Sequence, residues 1–64
     1  LSPREFEILR MLLDGQTTDA IAKALHISSK TVANYHYIIK AKLGAASDSD
    51  LVLKCMRLGL IESV

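Results

Sequence analysis

The sequence is poor in the residues that staple, span or catalyse. A single cysteine, Cys55, among 64 residues means that no disulfide can close within the chain and no cysteine-rich metal site can form. That usage fits a reducing, cytoplasmic compartment. No stretch approaches the roughly 18 consecutive apolar residues of a membrane span, and no signal-like leader is present. Three glycines and one proline make no linker or low-complexity segment, and there is no phosphate-binding glycine loop. The two histidines, His26 and His36, have no cysteine, histidine or acidic partner at metal-ligand spacing. With no nucleophile beside a base either, the chain is read as a non-enzyme that needs no metal or cofactor.

What is present is a hydrophobic half, enough to favour an ordered domain over disorder. At this length folding removes only about 60% of the unfolded chain's surface from water, so the core is one small cluster in one domain, residues 1–64. The chain opens on Leu1, directly before a helix start, and this suggests a piece of a longer polypeptide whose N-terminal regulatory domain is missing. The net charge is only +1, but the charges are segregated. Lys23, Lys30, Lys40 and Lys42 lie in the stretch from Ala20 to Ser47, which holds no acid, while Glu5, Glu7, Asp14, Asp19, Asp48, Asp50 and Glu62 all lie outside it. A cationic block between acidic flanks points to a polyanionic partner.

Four helices and no strand follow from the punctuation. Ser2-Pro3-Arg4-Glu5 is a helix start with Ser2 as N-cap, proline at the first helical position and Glu5 closing a capping box. Phe6, Leu9 and Leu13, widened by Ile8 and Leu12, give this helix its apolar stripe, and Asp14-Gly15 ends it. Thr17 or Thr18 caps a second, short helix to Leu25, with Ile21, Ala22 and Leu25 inward and Lys23 outward. His26-Ile27-Ser28 has the length of the turn in a helix-turn-helix, and His26 falls where the chain needs a positive φ. Ala22 is small where two helix backbones cross closely. Ser28 caps the third helix, about 29–43, and Gly44 ends it. Ser47 caps the fourth, with Asp48 and Asp50 in its first turn suited to the helix dipole, and this helix runs to about Leu58. On it Leu51, Val52, Cys55, Met56 and Leu58 share one broad face. Leu53 falls off that face and is either an isolated surface leucine or a contact with another subunit.

The third helix presents two unlike sides. Val32, Ile39 and Leu43 form one stripe with Tyr35 and His36 beside it, whereas Lys30, Ala33, Asn34, Tyr37 and Ala41 fall opposite. The first side is fit for burial. The second joins a cation, small side chains, an amide and a phenol without a carboxylate, which suits a negatively charged, polar partner. Tyr35 and Cys55 read as core, Tyr37 as contact and His36 as a packed or half-exposed side chain.

Leu1-Ser2-Pro3-Arg4-Glu5, Ile8-Leu9, Gly15, Ile21-Ala22, Leu25, Ile27-Ser28, Lys30-Thr31-Val32, Lys42-Leu43-Gly44 and Gly59-Leu60-Ile61 together resemble the LuxR-type (NarL/FixJ) DNA-binding domain over the whole chain. The resemblance implies an all-α, four-helix bundle containing a helix-turn-helix, usually the C-terminal output domain of a bacterial transcription regulator such as a two-component response regulator. It implies that the third helix enters the major groove of double-stranded DNA with Ala33, Asn34 and Tyr37 at base edges. Thr17, Thr18, Lys30, Thr31, Lys40 and Lys42 are the candidate phosphate contacts. It also implies a homodimer on DNA through the fourth helix, with Leu53 and Met56 at the contact. Two departures stand out. Position 33 is often lysine in relatives, and Tyr35 with Tyr37 is similar to a subgroup of global-activator response regulators that tends to carry arginine at the positions of His36 and Ile38. Part of that subgroup's phosphate grip is therefore missing. Ala33 and Ile38, with the small net charge, also favour an alternative, a protein-interaction module on the same scaffold without DNA binding of its own.

Overall fold

Each helix starts on a hydroxyl that the sequence supplies. The computed structural model describes residues 1–59, so Leu60 and Ile61 of the closing motif, and the acid Glu62, lie outside the described residues. Within them are α1 (Pro3–Leu13), α2 (Thr18–Leu25), α3 (Ser29–Leu43) and α4 (Asp48–Arg57), and no strand. Ser2 accepts from the Glu5 N–H while the Glu5 carboxylate accepts from the Ser2 N–H at 2.8 Å, a complete capping box. Thr17, rather than Thr18, caps α2 by accepting from the Ala20 N–H. Ser28 and Ser47 do the same for α3 and α4, on the N–H groups of Thr31 and Asp50.

The first three helices also end alike. The residue after the turn bonds back five positions, Gln16 to Met11, Ile27 to Ala22 and Ala45 to Lys40, so that carbonyls left over by the helix are satisfied. The pivot is left-handed each time: Gly15 and Gly44 occupy it in α1 and α3, and His26, at φ 57° and ψ 43°, occupies it in α2. That single left-handed histidine turns the chain from α2 into α3.

The core is one cluster of Ile8 and Leu9 from α1, Ile21 and Ala22 from α2, Val32 and Ile39 from α3, and Leu51 and Cys55 from α4. Met11, Leu12, Leu13, Leu25, Ile27, Tyr35 and Leu43 pack around it half-buried. α3 packs against all three other helices, which fixes its roll about its own axis. Cys55 is fully buried, and desolvation pushes its thiol above the usual range, in keeping with a small core side chain. Two expectations fail at the rim. Phe6 is more than one-third exposed, because the buried side of α1 is centred on Ile8 and Leu9. The face of α4 expected to be buried is also narrower than its apolar pattern. Only Leu51 and Cys55 are covered, while Val52, Met56 and Leu58 join Leu53 on the surface.

Candidate nucleic-acid interface

With Val32 and Ile39 buried, the opposite side of α3 must face outward, and Lys30, Ala33, Asn34, Tyr37 and Ala41 are all exposed. Tyr37 is 73% accessible. Tyr35 lies against the core, as its place beside the inner stripe predicts. At the start of α3 the Ser29 hydroxyl donates to Asp19 of α2 at 2.6 Å, and the hydroxyls of Ser28 and Thr31 are 2.9 Å apart. These contacts fix the first turn of α3 against α2. Lys30 projects from that turn into solvent.

The other two lysines of α3 have carboxylate partners. Lys42, near the end of α3, bonds Glu5 at 3.0 Å to Oε1 and 2.9 Å to Oε2. Glu5 is only 5% exposed. The Lys42 ammonium and then the Ser2 hydrogen bonds lower its pKa to about 2. Lys40 stands 3.4 Å from Asp48, which also pairs with His36 Nε2 at 2.8 Å. Desolvation pushes the Asp48 carboxyl up, but the His36 hydrogen bond and the charges of His36 and Lys40 outweigh it and hold the group below its usual range. An ammonium has three N–H donors, so each lysine keeps a donor for a second acceptor while holding its carboxylate.

The base-reading candidates thus share one open side with Lys30. Lys40 lies towards α4, and Lys42 lies towards α1. Thr17 and Thr18 sit at the start of α2, where the Thr17 oxygen serves the cap and its O–H stays free to donate. Glu5 and His36 also link helices, and the sequence pattern does not show it. The pattern around Glu5 marks a local cap, and nothing local marks a partner 37 residues away. Among the described residues no group of histidines, cysteines and acids is placed to hold a metal ion. No helix among them is long and apolar enough to cross a membrane.

The profile of the family described as bacterial regulatory proteins, luxR family, matches residues 1–55. The spore germination protein GerE of Bacillus subtilis (strain 168) is 39% identical over 62 residues, covering 97% of this chain and 84% of that protein. The transcriptional activator protein ExaE of Pseudomonas putida is 43% identical over 61 residues, covering 95% of this chain and 28% of that protein. The response regulator GacA of Pseudomonas viridiflava is 38% identical over 63 residues, covering 98% and 29%. The solved structure of the transcription factor GerE superposes with a TM-score of 0.85 at 37% identity, covering 97% of this chain and 92% of that one. The chain belongs to the luxR family of bacterial regulatory proteins and has the four-helix, helix-turn-helix fold of GerE. It spans less than one-third of the length of ExaE and of GacA.

Proposed function

We propose that the chain binds double-stranded DNA sequence-specifically, as the output domain of a bacterial transcription regulator, with α3 in the major groove. The observation that carries this reading is the exposed, carboxylate-free side of α3, held outward by burial of Val32 and Ile39 behind it. An α-helix with its side chains is about 10–12 Å across, and the major groove is about 12 Å wide. ExaE is a transcriptional activator and GacA a response regulator, which agrees with a regulator's output role in the cytoplasm.

The roles follow from the side chains. Asn34 offers a donor and an acceptor to N6 and N7 of adenine, Ala33 a methyl to thymine, and Tyr37 a phenol to a base edge. Lys30 meets a phosphate at the N-terminal end of α3, joined by Thr31 and by the hydroxyls and amides of Thr17 and Thr18 at the start of α2. Lys40 and Lys42 add phosphate contacts through the donors left over from Asp48 and Glu5. One such domain reads few base pairs. Two copies paired through Leu53 and Met56 of α4, on half-sites about one helical turn apart, supply the remaining specificity.

Selection of bound duplexes from a random pool tests the reading. The wild-type chain is expected to enrich a motif containing an adenine that Asn34→Ala no longer prefers, a loss of about 1–3 kcal/mol of discrimination at that position alone. Enrichment of no motif by the wild-type chain would overturn it.

A further inference from the structure

Ile38 has no part in the roles assigned above. It is 41% exposed and stands four residues after Asn34, on the same side of α3 and one turn further on. Between Lys30 and Lys42 the exposed residues of α3 are Ala33, Asn34, Tyr37, Ile38 and Ala41, all uncharged. Lys40, the cation within that span, is engaged by Asp48. The middle of this side therefore lacks the guanidinium or ammonium that reads O6 and N7 of guanine, the commonest specific contact to a G·C pair. It holds instead the carboxamide that matches adenine and aliphatic groups that match the 5-methyl of thymine. Against a G·C pair the same aliphatic groups would strip water from the cytosine amino group or guanine O6 and return no hydrogen bond.

We infer that this face selects A·T pairs at the centre of its half-site, with Ala33 and Ile38 seated against thymine 5-methyl groups on either side of the base that Asn34 reads. The inference rests on the DNA-binding reading above and adds the chemical class of the sequence and a specificity residue, Ile38.

The test uses duplexes selected by the chain and remade with deoxyuridine in place of one thymine at a time, which removes the 5-methyl and leaves the pairing edge intact. The selected centre is expected to be A·T. Deoxyuridine there weakens the wild-type chain about fourfold, the worth of one buried methyl group. At the thymine that Ile38 covers, the effect vanishes in Ile38→Ser and persists in Ile38→Val. The side chain is exposed, so both variants keep the bundle, checked by helical circular dichroism. An enriched motif with G·C at its centre, or deoxyuridine silent at every central thymine in the wild-type chain, overturns the inference and leaves duplex binding standing. A chain that enriches no motif and shows no salt-dependent duplex affinity overturns the DNA-binding reading, and the inference falls with it.

Discussion

At position 5 a carboxylate sits in the least accessible polar site among the described residues, and it serves two ends of the molecule at once. It closes the cap of α1 through the Ser2 N–H and holds Lys42 at the far end of α3. Losing its charge would strand the ammonium beside a neutral group. Its folded pKa of about 2 lies below the roughly 4.3 of an unperturbed glutamate, so the unfolded chain takes up the proton first. The stabilisation is thus fully present above the unfolded value and is lost as pH falls towards the folded one. Thermal unfolding followed from pH 6 down to pH 2 is expected to show a falling midpoint, and Glu5→Gln is expected to flatten part of that fall while lowering the midpoint at pH 6. Asp48, also held below its usual range, contributes in the same direction, so some slope remains in the variant. An identical acid profile in wild type and variant would remove Glu5 from the set of stabilising groups.

Among the elements, α4 is the one whose pattern and burial disagree. A helix of 10 residues makes under three turns, and against a small core only one residue per turn is covered, here Leu51 and Cys55. Leu53 is 44% exposed and is no isolated leucine, because Val52 and Met56 are exposed around it at one- and three-residue spacing. A contiguous apolar strip is a better docking surface than one side chain, and it supports the pairing of two copies on DNA. Sedimentation of chain mixed with a two-half-site duplex is expected to give two chains per duplex for wild type and one for Leu53→Lys. Unchanged stoichiometry would take Leu53 out of the contact.

Caps, helix ends and the left-handed turn at His26 are local, set by a hydroxyl or a backbone angle within a few residues, and all of them appear where the pattern puts them. The two sides of α3 follow from its period alone. The Lys42–Glu5 and His36–Asp48 pairs depend on how helices meet, 37 and 12 residues apart, and no local pattern encodes them. How much of α4 and of Phe6 is covered depends on the size of the core, which periodicity does not report. For the candidate site, the exposure of Ala33, Asn34 and Tyr37 was legible because they lie on one helix face. The division of the lysines into one open at the start of α3 and two tied to acids was not.

In the whole molecule, α1, α2 and α4 act together as a mount for α3. Each contributes to the one core that sets which side of α3 faces out, and the polar links at Asp19, Glu5 and Asp48 tie it to α2, α1 and α4 in turn. A groove-bound α3 and a protein-docking α3 differ most in their response to salt, since neutralising phosphates releases counterions. The measurement that separates them is the duplex association constant of wild type and Lys30→Ala over a series of salt concentrations. If the outward side of α3 lies in the groove, the logarithm of the constant falls steeply and linearly with the logarithm of salt, and Lys30→Ala is shallower by about 0.9, one phosphate contact. A flat response in wild type, or slopes that coincide in the two proteins, would contradict it.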